Sequence, residues 1–523
     1  MHKRVGETMP FIDNNDRNLA ITESGNIVIS ASAGTGKTYT TIQRIISDKE
    51  SNQSYQTFAA ITFTRKAAKE IQTRLGPNVD GGFVGTNDTF VLTEIIQPFM
   101  YDVYGKECKG DLKTDYTDEN QVSSFEKGVN KVKETRVICK YENQRENFAF
   151  QLALDIIKKS ESAKMYLMSK YYRIYIDEYQ DSDIDMHNFF MYLADDLRIP
   201  LFIVGDEKQS IYGWRGAYST GFTSLFIKEG FKKFKLMHNF RSVKVIQNYA
   251  NIFLPAVREN VELVEFNGEV QFLKFASDSN ATEFIEKWLD TSNNCAFLHY
   301  GNADAKKWAE NLNSIGLNFK YISASPLDFS NMESEHIWVS RALANYYYNS
   351  SYSEYDFWDE IVTPEKYKIT ELRDKITSIF ETIKETDEFI KKANELYNYL
   401  EYVDDVEKIH NEIKVLHKVV TDEEYEATYN QSKYKHTSGT IHSSKGLEFK
   451  QVVINAENFT FNNDENRYVH YVAVTRPEKR LLIIAKNGWR SNRYIAELNR
   501  SIAETVKIGK AISVDSIVKI IER

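Results

Sequence analysis

A run of apolar residues passes directly into a glycine-rich loop near the start of the chain. The sequence Ile27-Val-Ile-Ser-Ala-Ser-Ala-Gly34-Thr-Gly36-Lys37-Thr38 predicts a buried strand, a tight turn and the first turn of a helix. The glycines let the backbone approach a ligand, so that amide groups and the positive end of the helix face phosphate oxygens. Lys37 would reach the β- and γ-phosphates of a nucleotide, and Thr38 would bind Mg²⁺. The strict pattern has glycine at the position of Ala31, and an ordinary strand-turn-helix is the alternative.

A second segment places two adjacent carboxylates at the end of a predicted strand. The apolar and aromatic run over residues 171–176 is followed by Asp177 and Glu178. Open parallel sheets bind ligands at the carboxyl ends of their strands, so Asp177 could hold Mg²⁺ while Glu178 polarises the attacking water. Taken alone, acids after a strand are commonly helix caps or turn formers. The two segments together predict an ATPase.

Length and composition favour a cytoplasmic protein with more than one domain. A chain of 523 residues with 42% hydrophobic residues is long enough for at least two packed cores. Cys108, Cys139 and Cys295 are too far apart for a CxxC metal site, and their odd number gives no disulfide framework, which favours a reducing cytosol. The N-terminus lacks the apolar core of a signal peptide, and no apolar run approaches the length of a membrane span. We therefore expect neither secretion nor membrane anchoring.

The acidic net charge restricts nucleic-acid binding to a local groove. The formal net charge is −9, but a groove of backbone amides and stacking aromatics can bind a strand inside an acidic protein. Phe63 ends a predicted strand beside Arg65, which suits a base-stacking platform with a phosphate donor, and Thr86 ends another strand with a hydroxyl donor. A phenylalanine buried in the core is the alternative interpretation of Phe63.

A third segment combines a polar turn with aromatic and cationic residues. A predicted buried strand ends before Gln209, which is followed by Tyr212, Trp214 and Arg215 between glycines. Aromatic rings beside a guanidinium suit single-stranded bases, and a glutamine before them could sense the γ-phosphate. Packing of this loop against a neighbouring domain is the alternative.

Seven such segments follow one another in a fixed order along residues 31–476. They are the glycine-rich loop, Phe-Thr-Arg-Lys-Ala-Ala at 63–68, Asp-Glu-Tyr-Gln-Asp at 177–181, Val-Gly-Asp-Glu-Lys-Gln-Ser-Ile-Tyr-Gly-Trp-Arg-Gly-Ala at 204–217, Asn-Phe-Arg-Ser at 239–242, Thr-Ile-His-Ser-Ser-Lys-Gly-Leu-Glu-Phe at 440–449 and Val-Thr-Arg at 474–476. Their content and order resemble the UvrD/Rep-type superfamily-1 helicases, and seven ordered segments are far more specific than one loop. Within that family the chain is most similar to the helicase subunits of Gabija anti-phage systems.

The resemblance implies an α/β fold with two RecA-like parallel-sheet domains and mainly helical inserted subdomains. The first RecA-like domain would span residues 1–240, with a helical insert at about 91–165. The second would span residues 241–523, with a reduced helical insert at about 325–435. Within the second insert, apolar residues at helical spacing predict helices over residues 369–380 and 393–400. We also predict strands near residues 269–275 and 295–299.

The resemblance also implies the cofactors ATP and Mg²⁺ and a role for each matching residue. The catalytic residues would be Lys37, Asp177, Glu178, Gln209, Arg241 and Arg476. Both arginines would act as fingers from the second domain, so that hydrolysis depends on domain closure. The nucleotide would be bound by Ala33, Gly34, Thr35, Gly36, Lys37, Thr38, Tyr39, Phe240 and Glu448, with Mg²⁺ on Thr38 and Asp177. Phe240 would stack on adenine, and Glu448 would contact the ribose. The DNA strand would be bound by Phe63, Arg65, Thr86, Tyr212, Trp214, Arg215 and His442.

Three positions depart from the family pattern, one of them Tyr39, where relatives frequently carry an arginine. Relatives carry a glutamine that reads both hydrogen-bonding edges of adenine, whereas the aligned position is Asp16, which accepts only when it is ionised. The base specificity is therefore open. Asp88 stands where relatives have histidine, and an acid facing DNA phosphate would repel it.

Three functional hypotheses follow from the resemblance. The first is a 3′-to-5′ helicase or translocase on single-stranded or end-bearing DNA, acting in an anti-phage hetero-oligomer with an ATPase-nuclease partner. The second is a DNA-sensing ATPase that licenses the partner nuclease and unwinds little by itself. The third is a stand-alone repair helicase. A structural scaffold without enzymatic activity is disfavoured, because every charged group that the chemistry needs is present.

Overall fold

The computed structural model describes residues 13–108, 110, 112–213, 216–361, 366–403 and 405–523. Its N-terminal part contains ten strands: β1 Asn26–Ala31, β2 Thr57–Thr62, β3 Phe83–Thr86, β4 Lys113–Thr114, β5 Gln121–Val122, β6 Val137–Ile138, β7 Lys140–Tyr141, β8 Tyr171–Ile176, β9 Leu201–Gly205 and β10 Phe231–Leu236. Six of them form one parallel sheet in the order β10-β1-β9-β8-β2-β3. Because all six run in the same direction, the loops after β1, β8 and β9 meet at one edge of this first sheet.

Ten helices accompany the first sheet. They are α1 Asn14–Thr22, α2 Lys37–Ser51, α3 Arg65–Leu75, α4 Asn87–Val91, α5 Gln97–Tyr104, α6 Phe125–Thr135, α7 Phe148–Lys159, α8 Glu161–Lys170, α9 Ile184–Asp195 and α10 Ser219–Ser224. The segment between β3 and β8 is mainly helical, with two small two-stranded sheets, β4-β6 and β5-β7. Its Ile138 and Phe148 join one buried cluster with Val28 and Ile61 of the first sheet. The first inserted segment therefore shares its core with the sheet from which it extends.

A second parallel sheet is built from the C-terminal part. Its strands are β11 Val270–Phe275, β12 Cys295–His299, β13 Phe319–Tyr321, β14 His436–Thr440, β15 Phe449–Asn455, β16 Pro477–Lys486 and β17 Lys519–Glu522, in the order β13-β14-β12-β15-β16-β11-β17. The strands predicted near residues 270 and 295 are confirmed. The helices of this part are α11 Lys244–Ile252, α12 Asp278–Trp288, α13 Asn302–Asn313, α14 Ile337–Tyr348, α15 Glu354–Asp359, α16 Ile369–Glu381, α17 Thr386–Tyr399, α18 Val406–Thr421, α19 Glu426–Tyr429, α20 Asp464–Val474 and α21 Trp489–Lys507.

The helices α14–α19 are inserted between the adjacent strands β13 and β14. Both helices predicted in this region are present as α16 and α17. Apolar residues at helical spacing, including Leu343, Ile376, Leu396 and Leu416, form a buried cluster separate from that of either sheet. The second insert therefore packs as a helical unit with a core of its own. No helix in the described ranges combines the length and apolar character that crossing a membrane requires.

Candidate functional site: a nucleotide cleft between two parallel sheets

The glycine-rich loop joins β1 to α2. Gly34 and Gly36 both adopt positive φ angles, of 74° and 79°, which favour glycine. A Cβ on Gly34 would also collide with the Asn239 side chain. Lys37 begins α2, and its Nζ donates to the Ala31 carbonyl at 3.3 Å. The loop thus presents backbone amides, a helix N-terminus and a lysine to the edge of the first sheet, an arrangement that suits phosphate.

The paired acids follow β8 at the same edge. Asp177 is buried, and the Glu178 backbone N–H donates to its Oδ1 at 2.8 Å. Burial, with a smaller contribution from the neighbouring Glu178, raises the pKa of Asp177 to about 7, against the opposing charge of Lys37. Burial also acts against ionised Glu178, but Lys37, Lys445 and a hydrogen bond from Gln180 outweigh it and lower the pKa of Glu178. The pKa values of the two adjacent carboxyls are therefore driven apart, so that Glu178 is ionised and Asp177 titrates near neutrality.

A chain of hydrogen bonds connects the acids to Gln209. Gln180 donates from Nε2 to Glu178, and its Oε1 accepts from the Asp206 backbone N–H at 2.8 Å. Gln209 Nε2 then donates to Asp206 Oδ2 at 2.7 Å. Asp206, which lies in the middle of these hydrogen bonds, also forms an ion pair with buried Lys208 at 2.6 Å. The negative charge of Asp206 is therefore compensated. A displacement of Gln209 can therefore reach Glu178 through directly bonded groups.

Three cations from the second-sheet side meet this edge. Arg476 is 1% exposed, and its Nη2 donates to Gln209 Oε1 at 3.2 Å. Burial, helped by the nearby charge of Arg241, lowers the pKa of Arg476 to about 10. Arg241 is in an ion pair with Glu448. The expected nucleotide contacts Arg241 and Glu448 are therefore bonded to each other.

The third cation is Lys445, which lies in the motif over residues 440–449 and for which the sequence predicts no role. Its Nζ lies 2.5 Å from Asp181 Oδ2 and 3.1 Å from the Gln209 carbonyl. Burial acts against the charge, yet Asp181 and Glu178 outweigh it and raise the pKa of Lys445. Burial in turn raises the pKa of Asp181 to about 6, although Lys445 opposes this shift. Lys445 is thus an ionic bridge between the two sheets.

The expected DNA contacts fall into separate groups. Tyr212 and His442 lie together, with ring centres 6.2 Å apart, and Lys445 Nζ lies 4.8 Å from the Tyr212 ring centre. This pair therefore adjoins the nucleotide cleft. Thr86 caps α4 by accepting from the Thr89 N–H at 3.2 Å. Trp214 and Arg215 lie outside the described residues.

The two remaining DNA candidates lie where β2 leads into α3. Phe63 is half-buried and packs partly against the first core, so part of the ring is used for packing and its role as a base-stacking residue stays a prediction. Arg65 is exposed and lies 3.3 Å from Glu360 of the second insert. Arg65 thus has a carboxylate partner at the position where a phosphate was expected.

The base end of the cleft differs most from the sequence expectation. Phe240 is 51% exposed, as a stacking residue requires, and its N–H donates to the Gly34 carbonyl at 2.9 Å. Tyr39 is also exposed. Asp16, however, accepts from the Lys235 backbone N–H at 3.2 Å instead of lining the base site. Arg17, which the sequence did not single out, contacts the phosphate loop through the Thr35 carbonyl at 3.0 Å.

Metal binding at the site would use few protein ligands. The described residues contain no cluster of three or more His, Cys, Asp or Glu side chains arranged to hold a metal. The donor set at the cleft, the Thr38 hydroxyl and the Asp177 carboxylate, fits Mg²⁺, which usually takes one or two protein oxygens together with substrate phosphates and water.

Comparison with known proteins places this geometry in a family. An AAA domain model matches residues 17–215, and a model of the UvrD-like helicase C-terminal domain matches residues 347–488. The Gabija protein GajB of Bacillus cereus strain VD045 is 38% identical over 495 residues, which cover 93% of this chain and 98% of that protein. The chain belongs to the GajB family. It is a UvrD-like helicase, and its fold class is the predicted one, α/β with two parallel sheets and mainly helical inserts.

More distant relatives match over shorter regions. DNA helicase II of Rickettsia typhi is 27% identical over 260 residues, which cover 40% of this chain and 39% of that protein. The ATP-dependent DNA helicase PcrA of Staphylococcus epidermidis is 26% identical over 259 residues, which cover 39% of this chain and 34% of that protein. These local matches support the helicase family, whereas the likeness to GajB covers nearly both whole chains.

Proposed function

We propose that this GajB-family chain is an ATP-dependent DNA helicase or translocase with 3′-to-5′ polarity. It would act on single-stranded or end-bearing DNA as the helicase subunit of a cytoplasmic anti-phage complex with an ATPase-nuclease partner. The observation that carries the proposal is the meeting of groups from both sheets at one edge, where Arg476 of the second-sheet side bonds Gln209 of the first at 3.2 Å. A site shared between two sheets can convert a change in nucleotide state into relative movement of the sheets.

In the proposed mechanism the first-sheet side binds ATP and activates the attacking water. The amides of the loop over residues 33–36, Lys37 and the start of α2 would bind the phosphates of ATP. Thr38 and Asp177 would hold Mg²⁺, which supplies charge neutralisation to the transferring phosphoryl group when bound. Glu178, kept ionised by its cationic neighbours, would orient the attacking water and accept its proton.

The second-sheet side would complete the site on closure. Arg241 and Arg476 would stabilise the negative charge of the transition state, while Phe240 would stack on the base and Glu448 would contact the ribose. Gln209 bonds both Arg476 and Asp206, so it is suited to report the presence of the γ-phosphate. Opening after hydrolysis would then move the second-sheet residues relative to the first, which is the translocation step.

The DNA strand would lie next to this machinery. Tyr212 and His442 adjoin each other and Lys445, so base stacking there would act on residues that also contact the nucleotide side. Phe63, Arg65, Thr86, Trp214 and Arg215 would complete the track. Because Arg65 is paired with Glu360, DNA phosphate would have to displace a carboxylate at that position.

The decisive experiment is ATP turnover by the purified chain with and without single-stranded DNA. We expect stimulation by DNA, and loss of turnover in Glu178→Gln with retained nucleotide binding. Unwinding of duplexes with a 3′ tail but not with a 5′ tail would support the polarity. Absence of turnover in the presence of DNA would exclude the autonomous motor.

A second candidate function is a DNA-sensing ATPase that licenses a nuclease partner. The likeness to a Gabija protein over nearly the whole chain favours this alternative over a stand-alone repair helicase. DNA-stimulated turnover without unwinding by the chain alone, together with ATP-dependent cleavage by the complex, would support it. Unwinding by the chain alone at the rate of the complex would favour the autonomous helicase.

A further inference from the structure

Two buried polar atoms at the base end of the cleft lack a protein partner. Asp13 is 3% exposed and Arg17 is 7% exposed. Among the residues that the structure describes, neither Oδ1 of Asp13 nor Nε of Arg17 has a hydrogen-bond partner. Other buried atoms of the described residues are also unpaired, Arg493 Nε among them. This acceptor and donor differ from those because they belong to one ion pair that contacts the phosphate loop.

The remaining atoms of both side chains are firmly held, partly by each other, because Arg17 Nη2 lies 3.4 Å from Asp13 Oδ2 in an ion pair. Asp13 Oδ2 accepts from the backbone N–H groups of Met237 at 2.8 Å and His238 at 2.9 Å. Arg17 donates from Nη1 to Thr40 Oγ1 at 2.7 Å and from Nη2 to the Thr35 carbonyl at 3.0 Å. These bonds fix the orientation of the open atoms without consuming them, as a specificity site requires.

The pair also lies beside the expected stacking residue. Arg17 Cζ is 5.4 Å from the ring centre of Phe240. The family position Asp16 is instead used by the Lys235 backbone at 3.2 Å. The open acceptor and donor are therefore three residues before and one residue after the position at which the sequence placed the base reader.

We infer that Asp13 and Arg17 are the base-reading residues of this nucleotide site. Asp13 Oδ1 accepts a hydrogen bond from the 6-amino group of adenine, and Arg17 Nε donates to N7, which is an acceptor in both adenine and hypoxanthine. Together they present the acceptor and donor that a single glutamine amide presents in relatives. The inference rests on the proposed function only in assuming that the cleft binds a nucleotide.

Access to the pair requires a movement of Phe240, while Met237 and His238 keep their hydrogen bonds to Asp13 Oδ2. The Phe240 N–H contacts the phosphate loop through the Gly34 carbonyl at 2.9 Å. Entry of a nucleotide between Phe240 and the loop separates that contact and opens the two atoms to the base. Base recognition is thereby linked to the contact between the phosphate loop and Phe240, in the segment that leads from β10 to the second-sheet side.

The variant Asp13→Asn tests the assignment through a change of preference. The two backbone donors at Met237 and His238 require an oxygen, so they hold the amide oxygen at the Oδ2 position and leave the NH₂ at the Oδ1 position. The variant thus donates where the native residue accepts, and it matches the 6-oxo group of hypoxanthine instead of the 6-amino group of adenine. A shift of the ADP-to-IDP affinity ratio towards IDP cannot result from loss of folding, which would weaken the binding of both nucleotides.

The measurement is calorimetric binding of ADP and IDP, with turnover of ATP and ITP as a second readout. We expect native protein to favour ADP by about tenfold or more, and Asp13→Asn to shift the ADP-to-IDP affinity ratio towards IDP by about tenfold or more. Arg17→Lys keeps the charge but not the fork, and we expect it to weaken ADP and IDP alike.

Matched variants separate this reading from its alternatives. Asp16→Asn should leave the ADP-to-IDP ratio within about twofold of native, because its oxygen can still accept from Lys235. Arg44→Lys changes another buried arginine, in α2, which donates to the Ala20 carbonyl of α1 at 3.0 Å. This variant should lower stability without changing nucleotide affinity. An unchanged ratio in Asp13→Asn, or a changed ratio in Asp16→Asn, would overturn the inference. Failure of native protein to bind either nucleotide would instead reject the proposed function.

Discussion

The two sides of the nucleotide cleft differ in the bonds that their charged groups already make. On the first-sheet side, the loop glycines, Lys37 and the acid pair already stand in an arrangement that suits phosphate, although the Phe240 N–H must leave the Gly34 carbonyl before a nucleotide enters. On the second-sheet side, Arg241 pairs with Glu448, and Arg476 bonds Gln209. One side is prepared for phosphate, whereas the other must exchange protein partners for it.

This difference implies that closure, and not phosphate binding, is the controlled step. An arginine bonded to a protein oxygen gains little by moving to phosphate unless the new bonds are stronger, as charge-assisted bonds to a transition state are. Lys445 adds a constraint, because it joins Asp181 of the first-sheet side to the segment over residues 440–449 at 2.5 Å. DNA bound at Tyr212, whose ring adjoins Lys445, would act on that constraint directly.

The largest effect is expected from removing the finger that reaches across the cleft. Arg476→Lys should lower kcat by about 10³-fold, because arginine fingers contribute about 10³–10⁵ to phosphoryl transfer and lysine lacks the fork. Nucleotide affinity should change little. Steady-state turnover with single-stranded DNA and binding of a fluorescent ADP analogue would measure both.

Arg480→Lys, in β16 four residues after Arg476, provides a control. Arg480 lies over Trp288 at 4.6 Å and serves packing, so this variant should keep native turnover. If Arg476→Lys retains turnover within tenfold of native, the second-sheet side does not supply the finger, and the contrast between the two sides loses its main support.

The next effect is expected at the ionic bridge. Lys445→Met should lower DNA-stimulated turnover by about 10–100-fold, because it leaves buried Asp181 without its partner and removes one of the cations that keep Glu178 ionised. If the pair acts as a unit, Lys445→Met with Asp181→Asn should be no worse than the poorer single variant. Fully additive losses would show that the two residues act separately.

The sequence was sufficient where local pattern determines structure. The strand before the phosphate loop, the strand before Asp177 and the helices α16 and α17 all follow from the spacing of apolar residues. The order of the motifs carried the family resemblance, and that resemblance implied the fold class. The roles of the site residues stay predictions until they are tested.

What the sequence could not give are partnerships between distant segments. Lys445 and Asp181 are 264 positions apart, and no local pattern identifies such a pair. The sequence could not identify Asp13 and Arg17, because the proposal for them depends on which of their atoms lack a hydrogen-bond partner once Met237 and Thr35 have bonded the others. For Phe63 the sequence left a stacking platform and a core position open, and the ring packs partly against the first core.

A smaller effect is expected from pH, and it tests the first-sheet side alone. Because the pKa of Asp177 is raised to about 7, the carboxyl is mainly protonated below that pH, and Mg²⁺ must displace the proton. The apparent Mg²⁺ affinity of the ADP-bound protein should therefore fall by about tenfold from pH 8 to pH 6, beyond the change seen for free Mg-ADP. Calorimetric Mg²⁺ titration at both pH values would measure it.

Asp177→Asn supplies the control for this pH dependence. The variant should bind Mg²⁺ weakly and with no dependence on pH beyond that of Mg-ADP. An equal affinity of the native protein at pH 8 and pH 6 would mean that Asp177 is ionised throughout this range, so that the first-sheet side is even more fully prepared than its burial suggests.

The smallest effect is expected at Glu448, and it decides what its ion pair with Arg241 does. Glu448 is half-exposed, with its side chain 48% accessible, and such pairs contribute about 0–1 kcal/mol. If the carboxylate only holds Arg241 away from phosphate, Glu448→Gln should raise kcat/KM for ATP by up to about fivefold, and dATP should respond alike. If Glu448 also contacts the ribose, the variant should lose its preference between ATP and dATP while native protein retains one. Comparing kcat/KM for both nucleotides in both proteins therefore distinguishes a restrained arginine finger from a sugar contact. Equal values in the variant and the native protein for each nucleotide would exclude both roles.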